Sequence, residues 1–151
     1  MRPAHALTVL LCTAAAAASP AIASAAPAAT PAATGSFATV YSLTNGPCVA
    51  IVNTSVYGDA YPGQAAFTVD AQLPGVGTCD LPITLTYRNV DTGDTGSIVA
   101  DAQGPGYWSR YGYSAIFPLD PGTYTAQITI GAAHFPEPGT VQFTQNGYHG
   151  G

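Results

Sequence analysis

Four aromatic side chains and one arginine fall within seven residues, Tyr107-Trp108-Ser109-Arg110-Tyr111-Gly112-Tyr113, between Gly104-Pro105-Gly106 and a run ending at Phe117. Tyr, Trp and Arg dominate binding hot spots, and aromatic rings also stack on sugar rings. If the run is one regular strand, Tyr107, Tyr111 and Tyr113 share a face and Trp108 takes the other. The competing role is structural, with Trp108 in a core and the tyrosines on the wet side, and it is the favoured one. Tyr107, Trp108, Arg110, Tyr111 and Tyr113 are the candidate binding residues. A second aromatic cluster, Tyr57-Gly58-Asp59-Ala60-Tyr61, is expected to form a turn.

Catalysis finds little to work with. Nucleophilic mechanisms need a nucleophile, a base and an orienting group that converge. Apart from His5 near the N-terminus, the histidines are His134, in a Pro- and Gly-rich turn, and His149, in the glycine-rich tail. There is no G-x-S-x-G elbow and no ligand spacing of the His-x-x-x-His or Cys-x-x-Cys kind. Asp91 and Asp94, beside Gly93 and Gly96, supply two carboxylates where calcium gathers six to eight oxygens. Asp-Thr-Gly is also an ordinary hairpin turn. No catalytic residue, metal site or cofactor is expected, and the chain is read as a non-enzyme.

Charge narrows the partners further. Only 7% of residues are charged, there is no lysine, and the arginines are Arg2, Arg88 and Arg110. Polyanion binding depends on cations that neutralise phosphates, so nucleic acid and anionic membranes are excluded as partners. Hydrophobic residues make up 47% of the chain, too many for a disordered polymer.

Residues 1–25 have the form of a secretory signal peptide: Arg2, an apolar stretch from Ala6 to Ala18, and small residues at Ala23-Ser24-Ala25. The apolar run is shorter than the roughly 20 residues a membrane span needs. Cys12 follows Leu11 rather than a small residue and sits too early for lipidation. The product is therefore expected to be secreted, with no membrane insertion after cleavage. Residues 26–35, rich in Ala, Pro and Thr, are expected to be a flexible tether, 36–146 the folded domain, and 147–151 a disordered glycine-rich tail. Cys48 and Cys79 then remain, and an even count in an oxidising compartment favours a disulfide. Closing that loop contributes about 3 kcal/mol in the chain-entropy model. Asn53-Thr54-Ser55 matches an N-glycosylation pattern that stays bare in a bacterial secreted protein, which the leader favours.

The elements that position these groups are strands. Phe67 to Leu73 alternate apolar and polar without a fault. So do Leu81, Ile83, Leu85 and Tyr87 with their neighbours, then Tyr124 to Ile130, then Val141 to Thr144. A period of two buries one face of each strand and wets the other, as in antiparallel sheets. Less regular strands are expected over 37–43, 48–54, 96–101 and 107–117. Asn45-Gly46-Pro47, Pro74-Gly75 and Asp120-Pro121-Gly122 mark turns. The fold class is all-β, an antiparallel β-sandwich of about seven to eight strands.

The segment Leu119-Asp120-Pro121-Gly122-Thr123-Tyr124 resembles the corner of bacterial immunoglobulin-like and fibronectin-like modules. There a tyrosine opening a strand ties the corner to the sandwich. Leu119, Pro121, Gly122 and Tyr124 carry that resemblance, which implies an immunoglobulin-like sandwich. The stretch from Tyr87 to Ser97 is similar to a hairpin of small secreted actinobacterial sandwich proteins, a likeness that implies a compartment and a fold but no activity. Pilin-type lysine–asparagine crosslinks are ruled out because lysine is missing. The expected function is a secreted module for extracellular protein binding or a structural role. The alternatives are a carbohydrate-binding module that uses the aromatic strand, or a small inhibitor of a secreted hydrolase.

Overall fold

The computed structural model describes residues 33–147. The expected leader, most of the expected tether and the residues beyond Gly147 lie outside the described residues. Among the described residues eleven strands form two antiparallel sheets. Among the described residues no helix is long and apolar enough to cross a membrane.

The first sheet has the order β10-β2-β3-β4-β7, built from His134–Phe135, Val40–Leu43, Val49–Tyr61, Gln64–Leu73 and Gly106–Arg110. Two short strands continue its lanes: β1 (Thr34–Ser36) lies beyond β2 along β3, and β8 (Ile116–Pro118) lies beyond β7 along β4. The second sheet has the order β11-β9-β5-β6, from Thr140–Gln145, Gly122–Ile130, Cys79–Asn89 and Thr95–Gly104.

The alternation read from the sequence is realised as burial. Ala65, Phe67, Val69, Ala71 and Leu73 of β4 face inward, with Leu81, Ile83 and Leu85 of β5 and Tyr124, Ala126, Ile128 and Ile130 of β9 opposing them. Each fully buried Leu, Ile or Phe contributes roughly 1.5–3 kcal/mol. That burial is what holds two nearly uncharged layers together.

The expected disulfide is present. Cys48, just before β3, bonds Cys79, the first residue of β5, with Cα atoms 6.1 Å apart, so it ties one sheet to the other. Two glycines make room for it. A Cβ on Gly75 or on Gly104 would come within 2.7 Å of a bridge sulfur.

Several boundaries differ from expectation. Thr34 and Gly35 are strand rather than tether, paired with Tyr57 and Val56. Gly35 is buried because the backbone runs close to Val141, where a Cβ would sit 2.7 Å from that side chain. The expected strand 37–43 is broken between β1 and β2, with Phe37 turned into the core. The expected strand 48–54 runs on to Tyr61, so the Tyr57–Tyr61 cluster is strand with an irregular register, and Pro62-Gly63 makes the turn. Asp59 accommodates that irregularity at φ +57°. The expected strand 107–117 is interrupted by a single 3₁₀ turn over Gly112–Ser114, where Gly112 takes φ +60°.

Candidate functional site

The strand break at Gly112 decides where the aromatic segment points. In β7, Trp108 lies opposite Ala71, on the inward phase of β4, and packs half-buried against the core. Tyr107 lies opposite Gln72 and is 65% exposed on the outer face. Beyond the break Tyr111 and Tyr113 are 71% and 84% exposed. Trp108 therefore packs on the core side, and the tyrosines stand exposed.

Arg110 shares the inward phase with Trp108, opposite Val69. Its Nε donates to the carbonyl of Ser114 at 2.8 Å, and one terminal nitrogen donates to the carbonyl of Val99 at 2.8 Å. The second bond crosses from the edge of the first sheet to β6 of the second. The guanidinium is thus engaged by the fold itself.

Between Tyr107 and Tyr111 runs a groove of about 420 Å³ on the outer face of the first sheet. Strand register assembles its floor. Asn53, Asp70 and Ser109 lie opposite one another across β3, β4 and β7. Ser36, Ser55 and Thr68 form the adjoining row across β1, β3 and β4. The Tyr107 hydroxyl donates to Asp70 Oδ2 at 2.8 Å, and the Ser55 and Thr68 hydroxyls share a 2.6 Å bond. Thr39 donates to Asn53 Oδ1 at 2.7 Å, which leaves the Asn53 amide nitrogen to face the groove. The bond to Asp70 holds the Tyr107 phenol above its usual pKa, because deprotonation would set two negative oxygens against each other. Thr54, also at the groove, belongs to the inward phase of β3, and among the described residues its buried Oγ1 has no hydrogen-bond partner.

The same face turns apolar at its other end. Phe135 lies opposite Tyr41, and Tyr41 opposite Ile51, while Leu43 lies opposite Val49. Phe135, Tyr41 and Leu43 are all more than half exposed.

Elsewhere the polar groups are spent on the fold. The Asn89 side-chain carbonyl accepts from the backbone N–H groups of Asp91 (2.9 Å) and Thr92 (3.1 Å), and the Thr92 hydroxyl donates to Asp94 at 2.6 Å. That is a capped hairpin turn. No group of three or more His, Cys, Asp or Glu suited to a metal occurs among the described residues. His134 Nδ1 lies 2.7 Å from the Ala132 carbonyl, and its Nε2 is 3.5 Å from Glu137. At the corner the Tyr124 hydroxyl donates to the carbonyl of Asp120 at 2.8 Å. Asp59 accepts from the backbone and side-chain nitrogens of Asn146, and its own N–H donates to Gln145 Oε1 at 2.8 Å, clasping β3 to the end of β11.

Sequence reasoning missed the groove floor. Each of its residues sits at an ordinary outward position of a strand, and only the pairing of β1, β3, β4 and β7 brings them together. Comparison with protein-family models, with curated proteins and with solved structures gives no match for this chain.

Proposed function

We propose that the chain is a secreted, non-enzymatic binding module of immunoglobulin-like or fibronectin-like type, whose contact surface is the outer face of the first sheet. The observation that carries this is the outward placement of Tyr107 and Tyr111 beside an open polar groove on a rigid, disulfide-tied scaffold. Such preorganisation lowers the ordering cost of binding.

Strand order supports the fold type. With β1, β2 and β10 set aside, β3-β4-β7 faces β11-β9-β5-β6. These lanes correspond to the A-B-E and G-F-C-C′ lanes of such domains. The Tyr124–Asp120 bond matches the tyrosine corner of the same domains. The disulfide is compatible with an oxidising, extracellular setting, and the actinobacterial likeness of the Tyr87–Ser97 hairpin belongs with this reading.

The test is retention of the purified exported chain on washed cell envelopes and on secreted proteins of the producing cells. A Tyr107→Ala/Tyr111→Ala double variant should bind about tenfold or more weakly while keeping its thermal midpoint. Equal retention of the two proteins would count against the reading.

A further inference from the structure

We propose that the groove between Tyr107 and Tyr111 is a subsite for an uncharged carbohydrate chain. The proposal rests on the binding-module reading above and gives that surface its ligand class.

Apart from Phe37 and Val69, which are themselves buried in the core, the floor is made of hydroxyls, an amide and a single carboxylate. Ser36 and Ser109 can each donate and accept, Ser55 and Thr68 keep at most one donor between them beyond their mutual bond, Asn53 Nδ2 donates, and Asp70 accepts. Among the described residues no donor engages Asp70 Oδ1, so that oxygen can receive a ligand hydroxyl while Oδ2 holds Tyr107. Sugar rings offer the complement: hydroxyls around the rim and C–H groups on the faces. The exposed rings of Tyr107 and Tyr111 flank the floor and supply apolar surface for those faces.

Spacing fits an extended ligand. Neighbouring strands lie about 4.8 Å apart, and successive outward positions along a strand are about 7 Å apart. The rows Asn53–Asp70–Ser109 and Ser36–Ser55–Thr68 therefore form a polar lattice on the scale of single sugar rings. The four lanes from β1 to β7 span roughly 14 Å, the reach of a short oligosaccharide.

Charge selects against acidic ligands. Arg110, the one cation at the groove among the described residues, already donates to Ser114 and Val99 through Nε and one terminal nitrogen, so it offsets the charge of Asp70 but is turned toward the fold. A uronate or sulfate would meet the Asp70 carboxylate on a chain of net charge -5, with two of the three guanidinium nitrogens already bound to backbone carbonyls. A peptide ligand would call for apolar anchoring pockets, and the apolar residues at this floor, Phe37 and Val69, are taken up by the core.

The experiment is affinity electrophoresis of the full exported chain in gels containing soluble starch, xylan, laminarin, galactomannan or hydroxyethylcellulose, with polygalacturonate and heparin as acidic probes. At least one neutral polymer should retard the protein and neither acidic polymer should. Calorimetry with an oligomer of the retarding polymer should then show Kd rising about tenfold or more for Tyr107→Ala and for Asp70→Asn. Phe135→Ala, at the apolar end of the sheet, should leave Kd unchanged. Circular dichroism melts confirm that each variant stays folded.

Retardation by none of the neutral polymers overturns the proposal, as does retardation that persists in both groove variants. If no neutral polymer binds but the Tyr107→Ala/Tyr111→Ala variant still loses envelope retention, the carbohydrate assignment falls and a protein ligand takes its place. Loss of neither activity would remove the binding-module reading as well.

Discussion

The Tyr107 hydroxyl reaches across from the edge strand β7 to Asp70 of β4 and donates to its Oδ2 at 2.8 Å. The contact joins the carboxylate of the groove floor to the aromatic ring that walls it. Tyr107 is held above the usual phenol pKa first by that bond, and less by burial and by the charge of Asp70.

An alkaline titration should reveal the contact. Tyr107 keeps its proton in the folded state to a higher pH than in the unfolded chain, so the interaction is fully present below the ordinary phenol pKa. It is lost as pH rises through the folded value. Tyrosinate absorbance should show a late-titrating component made of Tyr107 and of Tyr87, whose phenol is raised by burial and then by Tyr124. In Asp70→Asn the Tyr107 part should move toward ordinary values and the Tyr87 part should stay. An unaltered titration curve would argue against the bond.

The corner tyrosine offers a stability test. Tyr124 is 3% exposed, stacks on Phe143 at 5.4 Å, and its hydroxyl is held by Asp120. Tyr124→Phe keeps the ring and removes only that bond. Urea unfolding should show a loss of about 1 kcal/mol with an unchanged m-value.

Thr54 points the other way. Its buried hydroxyl has no partner among the described residues, and it sits between Val52 and Val56 in the inward phase of β3. Thr54→Val replaces the hydroxyl by a methyl of similar shape and should stabilise the domain by about 1 kcal/mol. Thermal melts would read this as a higher midpoint. A lower midpoint would mean that the hydroxyl is satisfied in solution.

The crosslink between sheets can be removed cleanly. Replacing Cys48 and Cys79 together by alanine should cost about 2–5 kcal/mol, measured as a lower urea midpoint. Gly104→Ala should cost part of that with the bridge intact, because the new methyl meets Leu73 Cβ at 2.7 Å as well as the Cys79 sulfur.

Much of the architecture was legible because a strand buried on one face writes its own period. β4, β5, β9 and β11 read without ambiguity, as did the cysteine pair. What escaped were features created by contacts distant in the chain. Gly58 reads as a turn residue, yet it is a strand residue that must be glycine because its backbone presses on the Thr144 carbonyl. Gln145 carries no sign of burial in the sequence, yet it is buried, where it serves the Asp59 clasp. The groove floor was hidden for the same reason. Serine, threonine and asparagine in the outward phase are ordinary until register sets three lanes of them side by side.

Arg110 carries one further consequence. By donating to the Val99 carbonyl it engages one acceptor on the flank of β6 that no strand pairs among the described residues, the kind of flank on which another chain can add a strand. In a protein with no lysine to discourage such addition, a single guanidinium guards the seam where the two layers lie open. Without it, the Val99 carbonyl would be one more open acceptor at that edge.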